Sequence, residues 1–263
     1  MNYRTKRHLV VFCTSLVLLL VWQLGAMVLD SQILLPEVGP VVSALFTLAK
    51  ASPFPLHVGY TVARALESFF IILISATVLG ILAGRSPFFS MVAKPVVTVL
   101  KAVPVMSIIL LAFIWFSSGV VPLFSAFLMG FPVMFVQIEQ GFLHMDKNLE
   151  QMCDLYDFSP SLKIRYFVIP SLVPSFVTGA RTTLSMVWKV VIAAEVLTVP
   201  RYGVGAQMHL AQVQLETENV LSWTLIAILL TALGDIAFDG LVILLGKLKK
   251  YQDVRRLPCD IGK

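Results

Sequence analysis

A chain of 263 residues that is 58% hydrophobic and 13% charged, with a mean hydropathy of +0.88, is too apolar for a water-soluble domain. The formal net charge of +5 follows from basic residues flanking apolar runs, and is weak evidence for a nucleic-acid partner. Cys13 lies in an apolar run and Cys153 and Cys259 in polar ones, so no disulfide framework is offered.

Runs of about 20 apolar residues, the length that crosses a bilayer, recur at 9–29, 61–84, 92–116, 120–143, 170–198 and 221–246. They predict an all-α membrane protein of six transmembrane helices forming one domain over 1–263. The first run follows Arg4, Lys6 and Arg7 and is too long for the core of a cleaved signal, so it reads as a retained span. Between spans one and two, Val41, Val42, Leu45, Phe46 and Leu48 sit among prolines, a pattern that suits an interfacial helix. In the second span Arg64 and Glu67 are three residues apart and read first as a local ion pair. Lys94, Pro95, Lys101 and Pro104 interrupt the third span and push it toward 104–117.

After the fourth span comes a polar island from Asp146 to Pro160. Leu149, Met152, Cys153 and Tyr156 recur at helical spacing, Asn148 with Gln151 suits the start of a helix, and Pro160 suits its end. The island thus predicts a short helix with an apolar stripe on a polar body. Periodicity alone does not separate a helix that docks a partner from one lying on its own bundle.

The fifth span carries Thr178, Arg181, Ser185, Trp188, Lys189 and Glu195 within about 120° of its circumference. Polar groups in lipid are costly, so this face must look into the bundle or a water-filled cavity. Two readings stand. The face lines a translocation pathway in which Arg181 and Lys189 attract an anion, or Lys189 pairs with Glu195 and Arg181 with a partner elsewhere. An outer loop at 199–219 comes next, in which Gly203 and Gly205 mark a turn. The sixth span holds Asp235 and Asp239 four residues apart, either paired with Lys or Arg or serving a cation or proton site.

Thirteen of the 20 Lys and Arg fall on one side of these spans, with only Lys50 and Arg201 in the opposite loops. The positive-inside rule then places both termini in the cytoplasm. The sequence has no Gly-x-x-x-x-Gly-Lys-Ser/Thr phosphate loop, no His-Glu-x-x-His zinc motif and no Gly-x-Ser-x-Gly elbow. Neither ATP hydrolysis by this chain nor a metal or cofactor site is expected.

The island resembles the cytoplasmic loop of binding-protein-dependent ABC importer permeases, whose pattern is Glu-Ala-Ala, three residues, Gly, nine residues, Ile-x-Leu-Pro. Anchored on Pro170, the Glu slot falls on Gln151, the Ala slots on Met152 and Cys153, and the Gly slot on Asp157. The motif closes as Phe167-Val168-Ile169-Pro170, where only the proline matches strictly. Leu100-Lys101-Ala102-Val103-Pro104, Trp115-Phe116, Gly179-Ala180-Arg181, Trp188, Ala193-Ala194-Glu195 and Gly203-Val204-Gly205 resemble the nitrate/sulfonate/taurine branch of those permeases. The resemblance spans about residues 57–246.

It implies a permease subunit of an ATP-driven importer in the bacterial inner membrane, carrying a small anionic solute such as a sulfonate or nitrate. It further implies a second permease copy, two cytoplasmic ATPase subunits and an extracytoplasmic substrate-binding protein, in contact with membrane lipid. Residues 146–170 become a coupling loop, in which Leu149, Gln151, Met152, Cys153, Tyr156 and Asp157 meet the ATPase. Residues 162–170 then transmit its motion to the fifth span. An ATP-independent secondary transporter or channel using intramembrane carboxylates is the alternative.

Overall fold

The computed structural model describes residues 3–255, and every regular element among them is helical. In chain order these are α1 (Tyr3–Leu29), α2 (Val38–Lys50), α3 (Phe54–Arg85), α4 (Pro87–Ala102) and α5 (Val105–Trp115). Then come α6 (Val121–Leu143), α7 (Lys147–Leu155), α8 (Pro160–Lys163), α9 (Ile169–Thr198), α10 (Val204–Val213) and α11 (Thr217–Arg255). A π-helical turn, Ile164–Val168, joins α8 to α9.

Four helices, in α1, α3, α6 and α11, are long and apolar enough to cross a membrane. The third expected span is instead two helices, α4 and α5, bent by 98°. Pro104 lacks an N–H and sits in an extended conformation at the head of α5, which breaks the run where the sequence places the interruption. At 30 residues α9 is long enough to span, but with Arg181, Lys189 and Glu195 along it, it is not among those four.

α3, α6 and α9 form the centre of the bundle. Buried positions on α3 recur at Thr61, Arg64, Ala65, Ser68, Ile72, Ala76, Gly80 and Ala83, one stripe of a 3.6-residue period. Most are small, which lets helix backbones approach closely where lipid supplies no hydrophobic drive. A Cβ on Gly80 would stand 2.8 Å from Ile138 of α6, and one on Gly130 of α6 would stand 2.7 Å from Ile72. Met134, Phe135 and Ile138 of α6 and Val187 and Val191 of α9 fill the rest of this core.

The register puts Gly84, Phe142 and Ser175 at one end of the bundle, and His57, Gly119 and Glu195 at the other. The loop with α7 belongs to the first end and α10 to the second. The helix expected among the prolines after the first span is α2. Gln23 of α1 bonds Glu37 (2.9 Å) and the N–H of Val38 (3.1 Å) at its start, and Ser222 of α11 donates to Val41 O (2.9 Å).

Candidate functional site

Three groups of polar residues stand out, and each departs from the sequence expectation in an informative way. The first is the loop around α7. The helix begins two residues earlier than a cap at Asn148 would place it, because the carboxylate of Asp146 caps it by accepting from Asn148 N–H at 2.8 Å. It ends at Leu155, with Asp157 in the left-handed region at φ 48°. Phe158 N–H donates to Cys153 O (3.0 Å) and Asp157 N–H to Asp154 O (3.2 Å), the bond pair of a Schellman ending. Pro160 therefore does not stop α7; it opens α8, in the first turn where its missing N–H costs nothing.

The apolar stripe is also narrower than periodicity implied. Leu149, Met152 and Tyr156 are exposed, Tyr156 at 68%, whereas Cys153 is buried at 5%. Gln151 and Asp157 are exposed beside them, and Leu155 adds an apolar side chain that is 80% exposed. Cys153 thus anchors α7 from within while the other three face outward.

α7 is tied to α8 and, through it, to α9. Lys163 Nζ lies 2.9 Å from Asp154 and 3.1 Å from Glu150. Its hydrogen bonds to Asp154 and then Glu150 hold its ammonium above the ordinary lysine range. From Pro160 to Thr198 the chain stays helical, with Ile169 N–H reaching back five residues to Ile164 O. That wider turn stands immediately before Pro170, whose ring has no N–H and would crowd a regular α-turn.

The second group lies where α9 meets α11. The expected single polar face of α9 is divided. Arg181 and Lys189 are exposed, Ser185 is half-buried, Trp188 is buried at 3% and Glu195 at 0%. Arg181 Nη2 lies 2.6 Å from Asp239 Oδ1, in an ion pair whose N–H bonds are not aimed at that oxygen. Lys189 makes no ion pair among the described residues. Asp235 stands within electrostatic reach of Asp239, Lys189 and Arg181. Its Oδ1 and the Trp188 Nε1 are both buried without a hydrogen-bond partner among the described residues. A Cβ on Gly234 would stand 2.6 Å from that indole nitrogen, so Trp188 rests on the α11 backbone beside Asp235.

The third group, at the opposite end, sequence reasoning missed. Glu195 does not pair with Lys189, and Arg64 does not pair with Glu67, which is exposed. Instead Arg64 Nη1 donates to Glu195 Oε1 at 2.6 Å and to Tyr202 O at 2.8 Å, while its Nε donates to Gly119 O at 3.1 Å. Thr61 Oγ1 lies 2.8 Å from the other carboxylate oxygen, which also accepts Gly205 N–H at 3.1 Å. Thr61 accepts Val204 N–H at 2.9 Å, and His57 Nδ1 accepts Gly203 N–H at 3.2 Å.

Three successive N–H groups at the start of α10, unpaired by the helix itself, are thus satisfied by α3 and α9 side chains. Gly203 and Gly205 are required by proximity, since a Cβ on either would stand 2.7 Å from Glu195 side-chain atoms. The turn expected around them is the seat of this clasp. One signal was available: His57, just before the expected second span, and Thr61, Arg64 and Ser68 within it fall at helical spacing on one face. Among the described residues no cluster of His, Cys, Asp or Glu suits a metal ion.

Comparison with known proteins gives these features a family setting. The family described as binding-protein-dependent transport system inner membrane component matches residues 76–250. The taurine transport system permease protein TauC of Escherichia coli K12 is 24% identical over 87% of this chain and 85% of its own length. The putative aliphatic sulfonates transport permease protein SsuC of the same organism is 27% identical over 82% of this chain and 83% of its own. SsuC of Bacillus subtilis 168 is 24% identical over 69% and 66% respectively. Among solved structures, a chain of the MetNI methionine ABC transporter in an inward facing conformation superposes with a TM-score of 0.55 at 16% identity. The match covers 72% of this chain and 98% of that one, a likeness of fold.

Proposed function

The chain belongs to the binding-protein-dependent transport system inner membrane component family, a multi-pass protein of the inner membrane, and on that premise we propose that it is the permease subunit of an ATP-driven importer for sulfonate-type solutes. In this reading the six spans are α1, α3, the bent α4–α5 pair, α6, α9 and the Thr217–Leu244 part of α11, with both termini and α7 in the cytoplasm. Two copies enclose the pathway, an extracytoplasmic protein delivers the solute at the α10 end, and two ATPase subunits act at the α7 end.

One observation carries the mechanism: α7 exposes Leu149, Met152 and Tyr156 outward, while Lys163 and the helical run Pro160–Thr198 tie it to α9. A partner that grips those three side chains differently in its ATP-bound and ATP-free states biases the position of α9 by that difference in contact. Arg181, Ser185, Trp188 and Lys189 then belong to the pathway side of α9. Glu195 instead belongs to the clasp that holds α10. The sulfonate assignment is supported by the names of the taurine and aliphatic sulfonate relatives.

The test is reconstitution in liposomes with a cognate ATPase and binding protein. Uptake of a sulfonate that requires ATP inside the compartment holding α7 is the expected result. Uptake without nucleotide would reject the motor-driven reading in favour of an ATP-independent transporter.

A further inference from the structure

Resting on the placement of α7 in the cytoplasm, we propose that the cavity between α4 and the ends of α3 and α6 holds the head of an anionic phospholipid of the inner leaflet, with Lys94 on its phosphate. The cavity, of about 610 Å³, is walled by the last turn of α3, by α4 and by Leu143, the last residue of α6. Lys94 is the one charged residue in that wall. It is exposed and makes no ion pair among the described residues. An ammonium on a helix set in a membrane is costly without an opposite charge, and basic pockets between helices on the cytoplasmic side suit anionic head groups.

Ser90, Lys94 and Thr98 recur every four residues along the face of α4 that borders the cavity. Both hydroxyl protons are already committed. Ser90 Oγ donates to Oε1 of the buried Glu139 at 2.6 Å, and Thr98 Oγ1 donates to Lys94 O at 2.8 Å. Each oxygen keeps lone pairs with which to accept. The polar wall thus offers one cationic donor between two acceptors, which a phosphate bearing hydroxyl groups satisfies and a bare anion does not. Phosphoglycerol is such a head group. The remaining wall includes Met91 and Pro95, apolar and exposed, and continues into Val92, Val96 and Val99, exposed on the same helix. Acyl chains cover that strip, whereas a soluble phosphate leaves it facing water.

The experiment reconstitutes the full-length permease in vesicles of equal parts phosphatidylcholine and phosphatidylglycerol, and native mass spectrometry then weighs the lipids that stay bound. Wild type should retain phosphatidylglycerol over phosphatidylcholine by about fivefold, the preference that one cation near an anionic head supplies. Lys94→Gln should bring the two near equality, and Lys94→Arg should keep the preference. Lys101→Gln, on the same helix and outside the cavity wall, should keep it too. Glycerol phosphate in excess should not displace the lipid, because it has no chains for the apolar strip.

Equal retention of the two lipids by wild type, as when a second copy of this chain covers α4, overturns the proposal. A preference that survives Lys94→Gln also overturns it. Displacement by glycerol phosphate does so as well, and assigns the cavity to a soluble anion. Where Lys94→Gln does not fold, Lys94→Met, which keeps an unbranched apolar stem, gives the same measurement. No transport is measured, so failure here leaves the importer reading standing. Uptake without nucleotide would reject that reading and leave the lipid preference untouched.

Discussion

Arg64 and Glu195 are 131 residues apart in the chain and 2.6 Å apart in the folded protein, both buried, joining α3 to the end of α9. The pair has further partners in Thr61, Gly119, Tyr202 and Gly205. Removing one member of a buried, hydrogen-bonded ion pair leaves the other charge uncompensated, at a cost of about 3–5 kcal/mol. Glu195→Ala and Arg64→Ala should each lower the thermal unfolding temperature of the purified protein by a similar amount. The double variant should be less destabilised than the sum, by a coupling on the order of 1–3 kcal/mol. Additive losses would show that the clasp is not an energetic unit.

Lys189 and Glu195 provide the contrast. They lie on the same helix, and their sequence spacing suggests mutual neutralisation, but Glu195 is saturated by α3 and α10 while Lys189 turns outward. Groups without shared partners add within about 0.3–0.5 kcal/mol. The stability losses of Lys189→Ala and Glu195→Ala should therefore sum, with no rescue in the double variant. The Arg181→Ala and Asp239→Ala pair should couple instead, weakly, because both side chains are about half exposed and screened by solvent where water reaches them.

How much of the fold and site is legible in the sequence depends on which interactions are local. Helical periodicity and apolar length are local properties, so the positions of α1, α3, α6, α9 and α11, the apolar α2 and the short α7 are readable. The interruption of the third span is readable too, but not that it divides the run into two helices bent by 98°, since Pro95, equally prominent in sequence, lies inside α4. Partnerships across the bundle are not readable. Arg64 has Glu67 three residues away, and nothing nearby in sequence announces Glu195; only the face shared with His57, Thr61 and Ser68 hints that Arg64 looks inward. The end of α7 is hidden for a related reason: a Schellman ending needs a left-handed residue, and Asp157 does not advertise that conformation as glycine would. Anchoring the family motif on Pro170 nonetheless puts its glycine slot on Asp157. The inward turn of Cys153 is likewise invisible, because a four-residue stripe on a short helix does not say which of its edges meets the bundle.

Asp157 gives a direct test. Its φ of 48° is costly for most L-residues, by roughly 1–2 kcal/mol, less for Asp and negligible for Gly. Asp157→Gly should therefore slow hydrogen exchange across 147–158 and leave the rest of the protein unaffected. Asp157→Val, a β-branched residue that tolerates this region poorly, should speed it. Equal exchange in both variants would mean that α7 does not end in the conformation described.

The last prediction separates docking from transmission. Tyr156 and Lys163 lie seven residues apart on the same loop with different tasks: Tyr156 is exposed and available to a partner, while Lys163 joins α7 to α8 through Asp154 and Glu150. A buried aromatic commonly dominates a docked helix, so Tyr156→Asp should weaken ATPase binding to the permease and abolish uptake together. Lys163→Ala should leave ATPase binding in place, raise hydrogen exchange in α7, and lower uptake per ATP hydrolysed. Because its carboxylate partners raise the Lys163 pKa, its contribution is present below the ordinary lysine value and is lost only as pH rises through the raised one. Exchange in α7 should accordingly stay flat after correction for intrinsic rates from about pH 7 to 9, below the ordinary lysine pKa near 10.4. If Lys163→Ala weakened ATPase binding as much as Tyr156→Asp does, the division of labour along this loop would be rejected. If Tyr156→Asp left binding and uptake intact, α7 would not be the docking helix.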